Sequence, residues 1–553
     1  MEKELNKILE NTLHIFNLTH IPIEIEIPRD ESYGDLSTPI AMRLAKTLKK
    51  PPKIIAEEIK KNIYENYPHI FEKIEVAGQG FVNFKFKEEF LLEELIKIIA
   101  NHRDYLNFDI GKGKKVLLEF VSANPTGPLH LGHGRGAAVG MALCNIMEAG
   151  GYKVFKEYYI NDAGVQIKKL GHSVYARYRQ KLCDERDYPF PEDGYRGDYI
   201  EEIVLNNELS SLLKEYNLCK DTFEEISSLV NNLSCQLMLK DIKKDLADMN
   251  VHFDTWKSEK ELYDKGMVQE AIEHLRDKGL IYEKDSALWF KSTVYGDDKD
   301  RVVLKSNGEY TYFASDIAYH KYKLDRGFEE IIDIWGADHH GYIPRISSAL
   351  QALGLHSENF NVLLIQMVTL LRDGKPVQMS KRAGEFITLR EIIDEIGPDT
   401  TKFLFLFRRH DTPLEIDIEK AKEQSADNPV YYVQYAHARI SSIMEKAENL
   451  GVKLDIQKIK PSNFRLNEDE LRIVKKILSY PMLFKSTVKT REPHRIAFYL
   501  YELAGLFHPY YHKYRVITED RDITLSRLAL CICAKIIFKE GLTLLGVSAP
   551  DKM

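Results

Sequence analysis

The sequence predicts an α/β protein with a parallel central sheet, preceded by a small α+β domain and followed by an all-α domain. The sheet is predicted by an apolar strand, Val116–Val121, then a tight loop of prolines and glycines, then an apolar helix, Ala137–Met147. A second strand, Lys153–Ile160, follows, and the order strand–helix–strand implies parallel strands with a right-handed crossover. The all-α domain is predicted because strand alternation is absent beyond residue 425.

Residues 1–108 mix short helical and strand patterns, which predicts a separate α+β domain. The lysines at positions 46, 49, 50, 53, 60 and 61 form either a basic cluster or, because Glu57 and Glu58 lie among them, an ordinary solvated helix face. The predicted elements are, in chain order, a helix over Leu5–Phe16, a strand over Ile21–Ile27, a helix over Asp35–Lys46, a further helix through Ile63, and paired strands over Ile74–Phe86.

Residues 109–424 carry the predicted sheet, which a charged helical stretch at about 181–295 interrupts as an insertion. The second half resumes near residue 296 with two apolar strands, Ile331–Trp335 and Asn361–Val368. Ligands of such sheets bind at the carboxyl ends of the strands, so the loops after the first strands are predicted to bind a ligand. Tyr312 and Asp316 lie one turn apart on a predicted helix and therefore share a face.

Residues 425–553 have helical spacing throughout, with tyrosines interleaved among cationic side chains. Aromatic rings beside cations can stack on unpaired bases, although core packing is the more usual role of a tyrosine at helical spacing. The tyrosines are Tyr431, Tyr432, Tyr435, Tyr510, Tyr511 and Tyr514, and the cationic neighbours are His437, Arg439, His512, Lys513 and Arg515.

Composition excludes several classes of protein. The hydrophobic content of 44% and charged content of 29% indicate a globular protein, and no apolar run is long enough to span a bilayer. Six cysteines without a CxxC pair suit reduced cytosol and predict neither a disulfide framework nor a zinc site. Cys531 and Cys533 are predicted to pack inside a helix. The net charge of −7 argues against a protein that coats nucleic acid through bulk charge.

The loop after the first strand carries two histidines, His130 and His133, at the start of the following helix. Backbone N–H groups and the positive end of the helix dipole favour a phosphate there, and Gly132 lets a ligand approach the backbone. The alternatives are a metal pair or two solvated histidines. A metal site would need a further ligand, and His339-His340 lacks an accompanying cysteine or carboxylate cluster.

A second loop, Asp373–Gly384, lies between apolar segments and carries Lys381 and Arg382. Positive charge on such a loop can stabilise a pyrophosphate leaving group as its negative charge develops. The alternative for this loop alone is an ordinary solvated basic loop.

Together, the two loops resemble the signature sequences of class I aminoacyl-tRNA synthetases: His130-Leu-Gly-His133 and Gln378-Met-Ser-Lys381. Four flanking stretches are similar to the arginyl family, and the resemblance extends over nearly the whole chain. It implies a Rossmann-type catalytic domain and an anticodon-binding helical domain. The four stretches are Glu119-Phe-Val-Ser-Ala-Asn-Pro-Thr-Gly-Pro-Leu, Tyr159-Ile-Asn-Asp-Ala-Gly-Val-Gln166, Gly336-Ala-Asp-His-His-Gly-Tyr342 and Asn428-Pro-Val-Tyr-Tyr-Val-Gln-Tyr-Ala-His-Ala-Arg439.

The resemblance implies that ATP activates arginine as arginyl-adenylate and that tRNA(Arg) then accepts the arginyl group. His130, His133 and Lys381 are the implied catalytic residues. The implied ATP-binding residues are Gly132, Gly336, His339, His340, Met367, Val368, Met379, Ser380 and Arg382. The implied arginine-binding residues are Glu119, Ser122, Asn124, Tyr312, Asp316 and Gln166. The implied tRNA-binding residues are Tyr435, Arg439, Tyr511 and Met553.

For two of the predicted arginine-binding carboxylates, Glu119 and Asp316, the prediction also has a physical basis. A guanidinium group presents a planar fork of donors, so its pocket needs fixed acceptors, and Glu119 and Asp316 suit this need. A carboxylate within a buried strand is costly without a cation, which favours Glu119. Gln378 departs from the family pattern, which has lysine there, and leaves open how the β- and γ-phosphates are held. Lys375 or Arg382 could compensate.

The resemblance also sets expectations about partners. Mg²⁺ accompanies ATP without a dedicated carboxylate cage, and no zinc is expected. The N-terminal domain is expected to contact the outer corner of the tRNA, with the lysine cluster and Gln79–Asn83 as candidates, and the insertion to guide the acceptor end. A cytoplasmic monomer is expected. The rival hypotheses are another class I synthetase, an inactive RNA-binding paralogue, and a nucleotide-binding protein without an RNA partner.

Overall fold

The computed structural model describes residues 1–553 apart from 19–20, 207–218, 378–386, 453, 455–460, 462–463 and 465. The N-terminal domain pairs three antiparallel strands in the order β1-β3-β2 and packs helices against them. Its helices are α1 (Glu2–Leu13), α2 (Ile40–Leu48), α3 (Pro52–Asn66), α4 (Glu88–Ala100) and α5 (His102–Tyr105), and its strands are β1 (Leu36–Thr38), β2 (Phe71–Ala77) and β3 (Phe81–Phe86).

Two predicted elements of this domain are wrong. The stretch Ile21–Ile27 is not a strand, because its backbone makes only one isolated bridge, between Glu26 and Ser37. Its alternating isoleucines pack against the core, so the alternation reflects burial without strand pairing. The predicted helix Asp35–Lys46 begins as β1 and becomes helical only after Pro39, because Leu36–Thr38 pairs with β3.

The central domain follows. Its helices are α6 (Leu131–Ala149), α7 (Val165–Leu182), α8 (Tyr199–Leu205), α9 (Phe223–Asp248), α10 (Glu259–Asp264), α11 (Met267–Asp277), α12 (Tyr312–Asp325), α13 (Ile343–Leu353), α14 (Leu389–Ile396), α15 (Pro398–Leu406) and α16 (Ile418–Lys422). Its strands are β4 (Lys115–Glu119), β5 (Lys153–Ile160), β6 (Thr255–Ser258), β7 (Ile281–Lys284), β8 (Ala287–Phe290), β9 (Arg301–Leu304), β10 (Glu330–Gly336), β11 (Phe360–Ile365), β12 (Val368–Arg372), β13 (Lys375–Pro376) and β14 (Leu414–Asp417).

The predicted parallel sheet is confirmed, with the strand order β11-β10-β4-β5-β6. The chain starts at β4 in the middle, builds outward through β5 and β6, and then returns to place β10 and β11 on the other side. The strand order therefore reverses between β4 and β10. A crevice forms outside the carboxyl ends of strands at such a point, and it is the usual ligand site of these sheets.

The structure differs from the sequence prediction around this sheet in two strands. Strand β6 pairs with β5, so the sheet takes an edge strand from the stretch predicted to be an insertion. The strand predicted over Asn361–Val368 ends at Ile365, and Val368 begins β12, which pairs with β14 in a separate sheet. Strands β7, β8 and β9 form a small antiparallel sheet.

Helices α7, α8 and α9 share a hydrophobic core of their own, which includes Leu170, Tyr175, Ile203 and Val230. The expectation of no disulfide is contradicted here, because the sulfur atoms of Cys183 and Cys219 are bonded. Cys183 follows α7 and Cys219 precedes α9, and the packing of these two helices brings the Cα atoms to 5.5 Å. Spacing along the sequence could not reveal this proximity.

The C-terminal domain contains four long helices: α17 (Pro429–Asn449), α18 (Glu468–Thr490), α19 (His494–Lys513) and α20 (Arg521–Leu544). As predicted, Cys531 and Cys533 are buried within a helix. Helix α4 of the N-terminal domain packs on α18 and α20, where the Cys533 thiol donates to the Leu95 carbonyl. Within the described ranges, no helix is long and apolar enough to cross a membrane.

Candidate active site

His130 and His133 cap the start of α6 for each other. The Nδ1 atom of His130 accepts from the backbone N–H groups of Gly132 (3.1 Å) and His133 (3.4 Å), and the N–H of His130 donates to Nδ1 of His133 (3.3 Å). The two rings stack with their centroids 3.6 Å apart. A neutral imidazole that accepts at Nδ1 carries its proton at Nε2, so both rings can donate from that atom.

Burial at the helix start lowers the pKa of both imidazoles, that of His133 to about 3. We therefore expect His133 to stay neutral from about pH 5 to pH 8 and to act as a hydrogen-bond donor without a positive charge. NMR titration of its ring protons, assigned with a His133→Asn variant, tests this. A midpoint near the usual value of 6.5 would contradict the expectation.

The same shift affects folding stability. The unfolded chain binds a proton at His133 below about pH 6.5, whereas the folded chain does not until about pH 3. This histidine therefore lowers the free energy of unfolding as the pH falls from about 6.5 towards 3, in contrast to a histidine stabilised by an acidic partner.

The chain beyond the second predicted loop returns to the first one. Thr388 forms an isolated antiparallel bridge with His130, and the Leu389 N–H donates to the Leu129 carbonyl at 2.7 Å. A side chain at position 134 would crowd this contact, because a Cβ there would lie 2.5 Å from a methyl carbon of Leu389. The predicted residues Gln378, Met379, Ser380, Lys381 and Arg382 lie outside the described residues.

Arg135 connects this helix to the second half of the sheet. Its buried guanidinium donates to the carbonyls of Gln366 (2.9 Å), Thr412 (2.8 Å) and Arg409 (2.8 Å). Gln366 precedes Met367, whose side chain is 74% exposed at the sheet edge. Arg135 thus holds the segment predicted to contact ATP, of which Val368 is buried. No role was predicted for Arg135, although its position two residues after the first motif was a signal.

Gly336, His339 and His340 lie together after β10, where Gly336 ends the strand and the two histidines occupy a 3₁₀ turn over Ala337–Tyr342. A Cβ at Gly336 would lie 2.4 Å from an oxygen of Asp338. The Asp338 charge opposes the lowering of the His130 pKa, which indicates that this turn lies near the start of α6. No group of three or more potential metal ligands is found in the part of the chain that the structure describes.

Glu119 is buried, and its cation is supplied by the protein itself. Its Oε2 atom lies 2.6 Å from the Nζ of the fully buried Lys323, and its Oε1 atom accepts from the Ser122 hydroxyl at 2.8 Å. Lys323 also donates to Asp333 at 2.9 Å. The argument that an unpaired Glu119 needs a substrate cation therefore no longer applies. Its role in binding arginine stays a prediction, supported by the remaining acceptor capacity of the carboxylate.

Two other carboxylates, Asp316 and Glu259, have no Lys or Arg partner within salt-bridge distance among the described residues. Asp316 accepts from the Tyr342 hydroxyl, and Glu259 accepts from the Ser315 hydroxyl at 3.1 Å. Burial raises the pKa of both, that of Glu259 to about 7, and the Asp316 charge also opposes ionisation of Glu259. Glu259 was missed because a single Glu at the start of a helix has no distinctive motif.

Tyr312 begins α12 one turn before Asp316, as predicted, and its side chain is 67% exposed. The hydroxyl group also lies near the position that a Cβ at Gly164 would occupy, at 3.7 Å, so Tyr312 faces the segment before α7. Its exposed ring is thus available to cover a ligand that reaches Asp316.

Ser122 and Asn124 lie on a strained loop after β4. Val121 and Ser122 have φ angles of 69° and 39°, in the left-handed region that a β-branched residue rarely adopts. Such strain concentrates at binding sites, where the surrounding structure maintains it. The Asn124 amide donates to Oε1 of Gln166 at 2.8 Å, so the structure brings together these two predicted arginine-binding residues.

Three of the four predicted tRNA-binding residues also meet in the C-terminal domain. The Arg439 guanidinium lies between the rings of Tyr435 (4.4 Å) and Tyr511 (4.5 Å), and it donates to the Tyr435 hydroxyl at 2.6 Å. His508, which the sequence analysis did not select, stacks near Tyr435. Met553 is exposed, whereas Tyr510 is buried, so core packing explains that tyrosine.

The lysine cluster of the N-terminal domain is partly neutralised. Lys50, Lys60 and Lys61 pair with Glu58 (2.7 Å), Glu57 (3.3 Å) and Glu65 (3.9 Å). Lys46, Lys49 and Lys53 are exposed and lie on or beside α2 and α3. Both hypotheses for the cluster therefore persist, with these three exposed lysines as the better candidates for phosphate contacts.

Comparisons with known proteins point to one family along the chain. The family model of the class I (R) tRNA synthetase catalytic domain matches residues 94–443. The arginyl tRNA synthetase N terminal domain matches residues 1–86, and the DALR anticodon binding domain matches residues 433–553. The arginine–tRNA ligase of Aquifex aeolicus is 46% identical over 587 residues, which cover 100% of both chains.

A second relative and a solved structure extend the comparison. The arginine–tRNA ligase of Citrifermentans bemidjiense is 47% identical over 534 residues, which cover 96% of this chain and 95% of that protein. The structure of Thermus thermophilus arginyl-tRNA synthetase superposes with a TM-score of 0.77 at 22% identity and covers 100% of both chains. At that identity, the structural match supports the fold alone.

Proposed function

Because the chain belongs to the arginyl-tRNA synthetase family and so attaches arginine to tRNA with ATP as a substrate, we propose which of its residues carry each step. In the first step, a carboxylate oxygen of arginine attacks the α-phosphorus of ATP, and the bond to the bridging oxygen of pyrophosphate breaks. In the second step, a ribose hydroxyl of the tRNA attacks the arginyl carbonyl, and AMP leaves. Neither step needs a covalent enzyme intermediate, so positioning and charge stabilisation carry the catalysis.

For the first step, His130 and His133 donate from Nε2 to phosphate oxygens, and Lys381 and Arg382 stabilise the departing pyrophosphate. The backbone at Gly132 and Gly336 and the exposed Met367 provide surfaces for adenosine. His339, His340, Val368, Met379 and Ser380 complete the proposed nucleotide contacts. The reciprocal capping of the two histidines supports this assignment, because it keeps both rings at the helix start without a positive charge.

Mg²⁺ prefers six oxygen ligands, and when bound to ATP it neutralises phosphate charge. The turn after β10 offers the carboxylate of Asp338, whose side chain is exposed and whose charge acts on His130. A single exposed carboxylate suits a metal held mainly by phosphates and water. We therefore propose that Asp338 is a protein group available to such an ion, and that no zinc is used.

The pocket for arginine is the part of the site that distinguishes its substrate. Among the described residues, the half-buried Asp316 and the buried Glu259 have no Lys or Arg within salt-bridge distance, and this single observation carries the proposed guanidinium pocket. Glu119 borders it, and Tyr312 covers it. Ser122, Asn124 and Gln166 are proposed to hold the α-amino and carboxylate ends. A lysine substrate could not form the planar, paired hydrogen bonds that a guanidinium makes with two carboxylates.

Arginine binding should weaken as the pH falls below 7. The pKa of Glu259 is raised to about 7, so protonation below that pH removes a negative charge that the guanidinium needs. The KM for arginine is expected to rise by up to about tenfold per pH unit below neutrality, whereas the KM for ATP does not follow it. A Glu259→Gln variant should bind weakly at every pH and lose this dependence. An unchanged pH profile in that variant would contradict the role of Glu259.

Arginine-dependent exchange of pyrophosphate into ATP, measured with and without homologous tRNA, tests the function as a whole. Lysine and glutamate are the control amino acids. Exchange with arginine only is the expected result, and a requirement for tRNA would show that activation is coupled to tRNA binding. No exchange from folded protein under any condition would favour the rival hypothesis of an RNA-binding paralogue.

In the helical domain, Tyr435, Arg439, Tyr511 and Met553 are proposed to contact the tRNA. The stacked arrangement of Arg439 between two tyrosines supports this, because a planar cation flanked by rings presents a platform for unpaired bases. We further propose that the protein acts in the cytoplasm as a monomer. Light scattering of the purified protein with and without tRNA tests the oligomeric state.

A further inference from the structure

The loop Ser122–Pro128, here called the arginine loop, has little regular backbone pairing of its own. Within it, the Thr126 N–H donates to the Asn124 carbonyl at 2.8 Å, and the Ser122 N–H donates to the preceding Phe120 carbonyl at 3.0 Å. Two carbonyls of the loop accept from tyrosines outside it: Tyr158 donates to Ala123 at 2.9 Å, and Tyr199 donates to Thr126 at 2.9 Å. External hydroxyl groups therefore help to hold a loop whose first residue, Ser122, is strained.

Tyr158 and Tyr199 come from different parts of the fold. Tyr158 is buried in β5, in the body of the catalytic sheet. Tyr199 is the first residue of α8, and its ring packs against the separate core that α7, α8 and α9 share. A Cβ at Gly127 would lie 3.3 Å from the Tyr199 hydroxyl, so the tyrosine touches the arginine loop at two adjacent residues.

The same group of helices holds the arginine loop at a second point. Gln166 lies in the first turn of α7 and accepts from the Asn124 amide at 2.8 Å. The later turns of α7 pack against α8, as the shared core of Leu170, Val174 and Ile203 shows. A displacement of these helices relative to the sheet would therefore move the partners of Asn124 and Thr126 together.

We propose that Tyr199 is a positioning residue for arginine, which acts through the Thr126 carbonyl to hold Ser122 and Asn124 in their binding geometry. The inference rests on the proposed assignment of those two side chains to the ends of the amino acid. It makes α8 a mechanical link between the helices beyond the sheet and the arginine site. The proposed ATP contacts at His130 and Met367 lie outside the arginine loop, so we expect them to depend less on this hydrogen bond.

A Tyr199→Phe variant tests the proposal, because it removes one hydroxyl and keeps the ring that packs in the helical core. Loss of one hydrogen bond to the arginine loop is expected to raise the KM for arginine by roughly three- to tenfold and to change the KM for ATP by less than about twofold. The assay is ATP–pyrophosphate exchange by the full-length protein in the presence of tRNA, with each substrate varied in turn.

Tyr175→Phe is the matched control. The Tyr175 hydroxyl is bonded within the same helical group, where it donates to the Asp221 carbonyl at 2.7 Å, and it makes no hydrogen bond to the arginine loop. If Tyr199 only stabilises the helical group, the two variants should have the same kinetic constants and similar losses of thermal stability. That result, or an equal rise in both KM values for Tyr199→Phe, would overturn the proposal.

An Asn124→Ala variant separates this proposal from the assignment on which it rests. A rise in the KM for arginine with Asn124→Ala, but not with Tyr199→Phe, would refute the role of Tyr199 and keep the loop as part of the arginine site. An unchanged KM for arginine with Asn124→Ala would instead refute the assignment of Asn124. A selective rise with both variants is the expected outcome.

Discussion

Replacing Lys381 with alanine should lower the rate of adenylate formation by roughly 10²–10³-fold, the usual cost of removing one preorganised donor to a transition state. The resemblance of Gln378-Met-Ser-Lys381 to the second class I signature carries this prediction. The described chain immediately beyond that segment supports it, because Thr388 and Leu389 are hydrogen-bonded to the first signature loop at His130 and Leu129. The chain at Thr388 and Leu389 therefore lies beside the proposed phosphate site.

Single-turnover formation of arginyl-adenylate is the appropriate measurement for Lys381→Ala, because steady-state turnover can be limited by product release. Transfer of arginine from preformed adenylate to tRNA should be affected much less, since pyrophosphate has already left by that step. Lys420→Ala, which removes an exposed lysine of α16 in the same domain, is the control and should retain normal rates. A loss of less than about threefold in adenylate formation would contradict the role of Lys381, being far below the effect of a lost donor.

Replacing Asp316 with asparagine should raise the KM for arginine by roughly 10²-fold, because an amide of the same shape loses the charge and part of the acceptor capacity that a guanidinium requires. The KM for ATP should remain close to that of the unaltered protein. Asp325→Asn is the matched control. Asp325 is exposed on the same helix, α12, and its ion pair with Lys321 (2.7 Å) lies at the opposite end from the proposed pocket.

Asp316→Asn should also have a distinctive effect on stability. Burial raises the pKa of Asp316, so its ionised form opposes folding in the absence of substrate. Removing that charge should leave the melting temperature of the free protein unchanged or higher, while the stabilisation produced by added arginine should largely disappear. A lower melting temperature with equal rises in both KM values would indicate damage to the fold and would contradict a specific role in arginine binding.

The sequence predicted the parts of the fold that local patterns encode. The strand Lys153–Ile160 and the parallel sheet follow from apolar runs and short connections, and the structure confirms them. Strand pairing was harder to predict from the sequence, because it depends on a partner strand elsewhere in the chain. Ile21–Ile27 alternates like a strand but finds only one bridge, whereas Leu36–Thr38 begins a helix-like stretch and pairs with β3.

The residues of the candidate site also fall into those that the sequence predicts and those that only the structure identifies. His130 and His133 could be recognised because their chemistry and spacing occupy one contiguous loop, and the capping geometry then follows from the start of α6. Glu259 and Arg135 acquire their proposed roles from neighbours that are distant in the sequence. For Glu259 this neighbour is the carboxylate of Asp316, and for Arg135 the neighbours are three backbone carbonyls. No short sequence motif marks either residue as functional.

By itself, the sequence determined the family and the class of reaction, and it predicted the loops that carry it, because motif spacing and hydrophobic period are short-range properties. Tertiary structure alone decided which charges are already compensated. Glu119 and Lys323 are separated by 204 positions and meet at 2.6 Å in the interior, whereas Asp316 and Glu259 have no such partner among the described residues. Compensation depends on distance and burial in three dimensions, which no local pattern records.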